Sequence, residues 1–445
     1  MRNEEQFRGG RNPAIQSKQR PYHLQPAPSS RALRRNAAAV AVAACFSAAI
    51  VNPAQANPTN PTVVNGAAKF TTTGNLLSIT NTPGAIINWG GFSIGANEIT
   101  RFVQQSASSA ALNRVVGQSP SSILGALQSN GRVFLINPNG IVFGAGSQIN
   151  VGGLVASTLN LSNEDFLAGR MRFTEGLGNA LFNSGDITTT SGGNVYLIGN
   201  AVTNNGIITS PKGEVILAAG KSVELVNSGT PDLRLEIVAP HNQALNLGQI
   251  AADSGRIGIY AGLINHGGTI NANSVVVGEN GQIMLKATRN TTLEAGSTTV
   301  ANGPSGGKIE TQSGDTTLVS GTVEAKGVLP PPPGEGRGEG RGGSINVLGN
   351  LVGLTGNATL NASGDHGGGS VLVGSDFQGK NPNVQNAFRT FVGTDASIKA
   401  DAITNGNGGR IIVWSDDHTA FGGALSRGAQ CLATADLPKS RAITH

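Results

Sequence analysis

The sequence predicts an all-β protein built as a right-handed parallel β-helix, in which short strands stack in successive rungs. The 445 residues include 64 glycines, while only 13% of the residues are charged and 4% are aromatic. Glycine is thus about twice as frequent as in an average protein, and charge about half as frequent. Hydrophobic residues still make up 38% of the chain, too many for a disordered polymer. Such a chain can bury its apolar surface in a narrow core to which each rung contributes a few side chains, as in a solenoid.

A repeated unit of asparagine, one spacer residue, glycine and an aliphatic residue supports the β-helix. Its leading asparagines are 21, 23, 19 and 19 residues apart, at Asn183, Asn204, Asn227, Asn246 and Asn265. A period near 20 residues with glycine and asparagine punctuation is typical of a β-solenoid. Asparagines at equivalent corners are expected to stack in hydrogen-bonded ladders along the axis.

A second repeated unit is a glycine followed by a short apolar strand. It begins at Gly193, Gly213, Gly255, Gly281, Gly343, Gly369 and Gly409. Within these strands the residues alternate, so Ile257 and Ile259 are expected to face inward and Tyr260 outward. Glycine and asparagine are expected to supply positive-φ corners. Residues 57–428 would then form on the order of 18 rungs.

Residues 1–56 have the order of an extended signal peptide. They carry eight basic and two acidic residues, and Arg34-Arg35 precede an apolar run from Ala37 to Val51. That run is shorter than the ~20 residues that span a bilayer as a helix. Small residues at Ala54 and Ala56 predict cleavage after Ala56 and export by the Sec machinery. An amphipathic or membrane-anchored N-terminus and a lipoprotein site at Cys45 are the alternatives.

The rest of the chain is nearly neutral, because 23 basic residues remain against 24 acidic ones. This balance gives no electrostatic case for binding nucleic acid. The two cysteines are Cys45, in the signal, and Cys431. The mature body therefore has no disulfide to form, and its stability must come from stacking.

Two segments interrupt the rung pattern. Residues 329–343 contain four consecutive prolines followed by alternating glycine and charge, which predicts a solvent loop protruding from one rung. Residues 429–445 follow no earlier pattern. They are expected to form an aberrant or disordered tail, as a frameshift or early stop in the gene would produce.

The most specific text lies within residues 88–160, which include Asn88-Trp89-Gly90-Gly91-Phe92 and Asn137-Pro138-Asn139-Gly140. The second motif follows an apolar strand and precedes another, and it predicts a tight β-turn. Pro138 fixes φ at the second position of the turn, and Asn139 tolerates the backbone angles of the third. Gly140 can adopt the conformation with which the chain leaves the turn.

About residues 60–165 closely resemble the N-terminal secretion domain of the filamentous haemagglutinin family, the exoproteins of bacterial two-partner secretion. Asn137-Pro138-Asn139-Gly140 matches the Asn-Pro-Asn-Gly signature of that family. The family's second motif, Asn-Pro-Asn-Leu, is not found, and the similar letters at 381–384 lie in the distal shaft. The resemblance implies a secretion domain at 57–170, which caps the β-helix, and a β-helical shaft at 171–428.

The resemblance also implies an export route and a function. A cognate outer-membrane β-barrel transporter would recognise the domain while it is unfolded or partly folded, with residues 137–140 as the secretion motif. The chain would fold outside the cell rung by rung, since each rung needs only its neighbour. It would act as a secreted or surface-bound adhesin that engages a host glycan or protein receptor, with no cofactor.

Two other functions remain open on the sequence. Parallel β-helices also form carbohydrate-active enzymes, whose sites need carboxylates from neighbouring rungs. The densest candidate is Asp416-Asp417-His418, but adjacent residues of a strand point to opposite faces, so a polar turn is favoured. The six histidines show no metal-ligand spacing, so no catalytic or metal residues are predicted. The chain could also be the N-terminal fragment of a longer contact-dependent toxin or haem-utilisation exoprotein.

Overall fold

The computed structural model describes residues 57–174, 176–226, 234–237, 242–276, 278–328, 340–426, 428 and 430–433. The predicted signal peptide, including Ala54 and Ala56, lies outside this range, as does most of the proline-rich segment. The described part is built of 41 strands, one α-helix, α1 (Asn163–Leu167), and a 3-10 turn at Phe377–Gly379. Neither of these helical segments is long enough to cross a membrane.

The strands form three hydrogen-bonded sheets. The first sheet has 23 strands: β1 (Thr62–Asn65), β4 (Ala85–Trp89), β6 (Ala110–Val115), β7 (Ser121–Ile123), β9 (Arg132–Ile136), β10 (Ile141–Phe143), β12 (Gly153–Ser157), β15 (Ala180–Asn183), β17 (Val195–Gly199), β18 (Ala201–Asn204), β20 (Glu214–Ala219), β23 (Gln243–Asn246), β25 (Arg256–His266), β27 (Gln282–Leu293), β29 (Lys308–Ser313), β30 (Thr316–Val319), β32 (Ser344–Leu348), β33 (Leu351–Leu354), β35 (Ser370–Val373), β36 (Arg389–Val392), β38 (Arg410–Val413), β39 (His418–Phe421) and β41 (Gln430–Ala433). The second sheet has 14 strands: β2 (Ala68–Thr73), β3 (Leu76–Asn81), β5 (Ile99–Val103), β8 (Ala126–Ser129), β11 (Gln148–Val151), β16 (Asp186–Thr189), β19 (Ile207–Thr209), β24 (Gln249–Ala251), β26 (Thr269–Asn271), β28 (Thr298–Val300), β31 (Thr322–Glu324), β34 (Thr359–Asn361), β37 (Ser397–Lys399) and β40 (Ala424–Leu425). The third sheet has four strands: β13 (Asn160–Leu161), β14 (Met171–Thr174), β21 (Val223–Val226) and β22 (Arg234–Ile237).

The first two sheets are the faces of a parallel β-helix, as predicted. In the second sheet, every pair from β3 to β40 is parallel. The first sheet makes two faces, because β25 pairs with β20 through its first half and with β23 through its second. Each rung therefore has three sides around one core.

The rungs are fewer than the 18 or so predicted, because many are longer than 20 residues. The second sheet has 13 parallel strands once antiparallel β2 is set aside from its 14. Gln249 pairs with Thr269 at the short period, but Thr322 pairs with Thr359 and Thr359 with Ser397. Long excursions at the corners use the extra residues, so dividing the chain by the shortest period overestimates the number of rungs.

The predicted alternation holds within the strands. Ile257 and Ile259 face inward and are buried in a single apolar core that runs along the β-helix. Tyr260 faces outward, but it is also buried, because it belongs to a second apolar cluster beneath the third sheet. The sequence pattern shows only the direction of this side chain, and a separate sheet provides its cover.

The predicted asparagine ladder is present, with one change of residue. The side-chain nitrogen of Asn183 donates to the side-chain oxygen of Asn204 (2.8 Å), and Asn204 donates to Asn246 at the same distance. The next member is His266, whose Nδ1 lies 3.2 Å from the Asn246 nitrogen, and not Asn265. The strand register pairs Asn246 with His266, and a slip of one residue turns Asn265 to the outer face. Asn227 lies outside the described residues.

Positive-φ glycines occur at turns, as predicted, for example at Gly146 and Gly192. The glycines of the second repeated unit have a different physical reason. None of the second-unit glycines has a positive φ. A Cβ on Gly213 would instead lie 1.9 Å from the carbonyl oxygen of Gly193 one rung earlier. The same clash would arise at Gly255 against Gly213 and at Gly409 against Gly369. Glycine is needed because the backbones of successive rungs stack directly at this corner.

The N-terminal end of the β-helix is closed by antiparallel strands. β1 runs antiparallel to β4, and β2 forms a hairpin with β3. Phe70, on β2, packs edge-on against Trp89 with ring centroids 5.6 Å apart, and Phe92 packs against Trp89 at 5.5 Å. These rings cover the first rung, so the predicted capping role of the N-terminal region agrees with the fold.

An antiparallel sheet lies outside the β-helix, a feature that the rung pattern does not predict. Phe173 of β14 pairs with Val223 of β21 across 50 residues of chain. α1 packs beside this sheet. The ring of Phe166, in α1, lies edge-on to the ring of Phe134 of the β-helix, with centroids 5.1 Å apart. We call β13, β14, β21, β22 and α1 together the external sheet.

At the distal end the ladder extends past residue 428, where the sequence pattern predicts the end of the shaft. β41 pairs in parallel with β38, from Arg410 opposite Gln430 to Val413 opposite Ala433. Residues 430–433 of the predicted tail are therefore strand; residues 429 and 434–445 lie outside the described range. Gly343, the last residue of the predicted loop, already contacts the rungs: its amide donates to Ala325 O at 2.7 Å, and it stacks on Gly307.

Candidate functional site

The sequence-predicted secretion motif forms a tight turn between β9 and β10. The amide of Gly140 donates to the carbonyl oxygen of Asn137 at 3.1 Å, which closes the turn. The side-chain oxygen of Asn137 accepts from the backbone amide of Asn139 at 3.0 Å. Gly140 has a φ of +115°, a conformation that other residues rarely adopt. The residue types of the motif thus follow from the turn geometry.

The two asparagines of the turn bind it to the preceding rung. Asn137 is fully buried, and its side-chain nitrogen donates to Ser119 O (3.0 Å) and to Ser121 Oγ (2.9 Å). The side-chain nitrogen of Asn139 donates to Gly117 O at 2.8 Å. Removing the Asn137 amide would take a partner from the buried Ser121 hydroxyl, and removing either amide would break a hydrogen bond that holds the turn against residues 117–121.

The turn is also bound to the following rung. The backbone amide of Asn137 donates to Ser157 O at 2.9 Å. The carbonyl oxygen of Pro138 accepts from the side-chain nitrogen of Asn179, also at 2.9 Å. The four residues therefore connect three successive rungs. The side-chain nitrogens of both asparagines are used in these bonds within the protein.

The similar letters at 381–384 provide an internal comparison. Val384 N donates to Asn381 O at 3.1 Å, and Asn383 N donates to the Asn381 side chain at 3.1 Å. The local turn is therefore the same. However, the Asn381 amide donates to Asp376, only five residues away, at 2.8 Å. Pro382 and Asn383 are exposed. What distinguishes residues 137–140 is the set of bonds between rungs.

The predicted acidic turn shows no catalytic arrangement. Asp416 and Asp417 lie in a bend before β39. Asp417 accepts from Arg389 at 2.7 Å, and Asp416 contacts the Asn386 side chain. Among the residues the structure describes, no group of three His, Cys, Asp or Glu side chains could hold a metal ion.

A polar cluster that no sequence motif indicates lies on the outer face of the β-helix, with Tyr196 and Glu214 buried at its centre. Tyr196 Oη donates to Glu214 at 2.7 Å and accepts from the Asn194 side chain at 3.0 Å. Arg256 pairs with the other carboxylate oxygen of Glu214 at 3.2 Å. Burial raises the pKa of Tyr196, and the negative charge of Glu214 adds to the effect. The sequence feature that marks this cluster is position, because Glu214 and Arg256 each directly follow a glycine of the second repeated unit.

One arginine attaches the external sheet to the β-helix. Arg114 of β6 donates to the Asn163 side chain at 2.7 Å and to Leu161 O at 2.6 Å. Burial lowers its pKa. The two acceptors lie at the start of α1 and in β13, so a single guanidinium fixes both.

Comparisons with known proteins agree with this architecture. A family model described as the TPS secretion domain matches residues 54–300. The crystal structure of the HMW1 secretion domain from Haemophilus influenzae superposes with a TM-score of 0.67 and 32% sequence identity. The match covers 84% of this chain and 91% of that domain.

Two curated relatives from Haemophilus influenzae carry the name heme/hemopexin-binding protein. One is 36% identical over 169 residues, which are 32% of this chain and 19% of the relative. The other is 40% identical over 90 residues, which are 20% of this chain and 10% of the relative. The matched region is thus a fifth or less of each relative's length.

The family model covers more than half of the chain, and the structural match covers most of it. A family of this kind implies secretion together with a cognate outer-membrane transporter. The chain therefore belongs to the TPS secretion domain family, the export domains of exoproteins secreted by the two-partner pathway.

Proposed function

We propose that Asn137-Pro138-Asn139-Gly140 is the secretion motif and that it acts while the chain folds. The observation that supports this is the use of both asparagine side chains in bonds between rungs. In the folded domain the side-chain NH2 groups of both asparagines already donate to acceptors within the protein. The transporter would therefore meet them only in an unfolded or partly folded chain.

In this proposal the turn also helps to make export irreversible. When residues 137–143 dock on β7, the turn satisfies carbonyl groups of the rung that emerged before it. When the next rung forms, Ser157 O accepts from the Asn137 amide and the Asn179 side chain donates to Pro138 O. A solenoid adds such rungs one at a time. Folding outside the cell thus opposes backsliding without a need for nucleotide.

The test compares two paired substitutions. Asn137→Ala with Asn139→Ala should reduce the secreted fraction at least about tenfold when the cognate transporter is co-expressed, because the bonds of one buried and one half-buried amide to the preceding rung are lost. Asn381→Ala with Asn383→Ala is the matched control. It changes a turn with the same local hydrogen bonds, but the side chain of Asn381 bonds only to nearby residues and not to another rung. Immunoblots of medium and cells measure both. Normal export of the first pair would exclude the proposed role.

We further propose that residues 1–56 are a signal peptide cleaved after Ala56 and read by the Sec machinery. Mass spectrometry of the secreted chain should give an N-terminus at Asn57. A protein that retains Ala54 and Ala56 would contradict this cleavage site.

For the exported chain we propose an adhesin-like role at the cell surface, with a host glycan or protein as receptor. A second candidate, haem or hemopexin binding, is supported by the names of the two curated relatives. Pull-down of hemopexin by the secreted chain, alongside binding to host cells, separates the two. Either result is compatible with a longer exoprotein, including a toxin, of which this chain is the N-terminal part.

A carbohydrate-active enzyme is the remaining alternative. The engagement of Asp416 and Asp417 in separate contacts argues against a pair of catalytic carboxylates there. A turnover screen on pectin-like polysaccharides tests this directly. Robust depolymerisation would replace the adhesin proposal.

A further inference from the structure

The outer face of the first sheet carries a column of polar side chains along the axis of the β-helix. The strand register places Glu214 beside Arg256, Arg256 beside Gln282, and Gln282 beside Lys308. Toward the N-terminus the column continues through Asn194, whose side chain accepts from the Glu214 amide, and then past Gly153, which contributes no side chain, to Arg132. Six rung steps of about 4.8 Å give the column a length of about 29 Å.

The column lies in a groove beside the external sheet. A cavity of about 520 Å³ is lined by Arg132, Asn194, Glu214 and Arg256 of the β-helix, by Arg170 between α1 and β14, and by residues of the external sheet. A second cavity of about 310 Å³ shares Arg132 and Arg170 with it. A narrower pocket shares Glu214 and Arg256 and reaches Lys308. The three are neighbours that share lining residues, and we call them together the lateral groove.

The size of the groove is that of a binding site for a ligand. Pockets of about 300–1,000 Å³ are the usual range for small-molecule sites. The largest cavity falls within this range, and its continuation along several rungs favours an elongated ligand. Apolar side chains of Phe134, Val155, Met171 and Leu225 line it between the polar groups.

The charges of the groove are nearly balanced. Glu214 pairs with Arg256 and Glu310 with Lys308, each at 3.2 Å. Glu224 pairs with Arg172 at 3.0 Å. An anionic polymer would have to compete with these carboxylates. Alternating donors and acceptors instead suit a ligand whose groups both donate and accept, as hydroxyls do.

The backbone of the floor excludes one common class of partner. A bound peptide strand needs main-chain partners at a sheet edge. The strands of the floor are paired on both sides, as β20 is with β17 and β25, so their amides and carbonyls are already used. A sugar chain has no such requirement, because side chains alone can bind its hydroxyl groups.

We propose that the lateral groove binds a linear, uncharged oligosaccharide of several sugar rings laid along the β-helix axis. This rests on the proposed receptor-binding function and narrows it to a glycan. Arg132, Asn194, Gln282 and Lys308 bind the hydroxyl groups from the open side, and the cluster of Tyr196, Glu214 and Arg256 forms the polar floor. The external sheet is the opposite wall.

The test is calorimetric titration of the secreted chain with cellohexaose, maltohexaose and chitohexaose. At least one hexasaccharide should bind about tenfold or more tightly than its disaccharide, since it spans more rungs. Gln282→Ala with Lys308→Ala should weaken that binding about tenfold. Both residues are at the surface, and circular dichroism checks that the fold is retained. Lys399→Ala, on the second sheet, is the matched control and should leave binding unchanged.

Several outcomes would overturn the proposal. One is the absence of binding by all three hexasaccharides; another is binding that the double variant leaves unchanged. Binding of hexagalacturonate alone would assign the groove to acidic polymers. Loss of transporter-dependent export in the double variant, without sugar binding, would assign it to the transporter. Export measured on the same variants keeps this test separate from that of residues 137–140.

Discussion

The Nδ1 atom of His266 lies 3.2 Å from the side-chain nitrogen of Asn246, at the end of a fully buried ladder of asparagines. The other ring nitrogen, Nε2, lies 3.2 Å from Thr298 O, which can only accept. Nε2 therefore carries the proton and Nδ1 accepts from Asn246. The ladder requires the neutral ring.

This arrangement predicts a pH-dependent stability. Burial lowers the pKa of His266 to about 4, from 6.5 in the unfolded chain. The unfolded state binds the extra proton first, so stability is complete above pH 6.5 and falls as the pH drops toward 4. The loss is on the order of 3 kcal/mol. Urea melts at pH 7 and pH 4.5 measure it.

The control for this prediction is His266→Asn, which continues the ladder with a group that does not titrate. The variant should lose the part of the pH dependence between 6.5 and 4 while remaining folded at pH 7. An unchanged pH profile in the variant would show that other groups cause the effect.

Interrupting the ladder should cost more than an ordinary surface change. Asn204→Ala removes an acceptor for Asn183 and a donor for Asn246, leaving two buried groups without partners. We expect a loss of about 2–4 kcal/mol in the free energy of unfolding. Asn205→Ala, at the exposed neighbouring position, should change it by less than about 0.5 kcal/mol. Equal effects at the two positions would contradict a stabilising ladder.

Two adjacent glycines are predicted to respond differently to substitution. Gly192 has a φ of +79° with open space around a Cβ, whereas a Cβ on Gly193 would lie 2.3 Å from Gly152 O. Gly192→Asn should therefore cost only roughly 1 kcal/mol, since asparagine tolerates this φ. Gly193→Ala should cost about 2 kcal/mol or more, because the rungs must separate. Chemical denaturation distinguishes them, and tolerance of alanine at Gly193 would disprove the contact argument.

Loosening the external sheet should not unfold the shaft. Arg114→Lys keeps the charge but loses the two-pronged contact with Asn163 and Leu161. Amide hydrogen exchange across residues 160–174 should accelerate, while the core strands stay protected. Arg101→Lys, which removes only an exposed bond to Gln128, is the control. Uniform acceleration along the shaft would contradict the local role.

The sequence alone determines the repeat and much of its chemistry. A 20-residue period with asparagine and glycine at fixed points predicts stacked rungs, and the ladder of Asn183, Asn204 and Asn246 follows from it. The letters of Asn137-Pro138-Asn139-Gly140 likewise predict their turn. These features are local or repeat at one spacing, so the pattern contains them.

Tertiary structure decides what lies between rungs and between distant segments. The bonds from Asn137 to Ser121 and from Asn179 to Pro138 depend on which residues the register brings together. His266 replaces Asn265 in the ladder because the side-chain period is two and one residue reverses the face. The external sheet joins Phe173 to Val223, a pairing with no period to reveal it. The repeated sequence pattern determines the stacked rungs. The bonds between residues 137–140 and the neighbouring rungs, and the lateral groove, form only when folding brings distant residues into register.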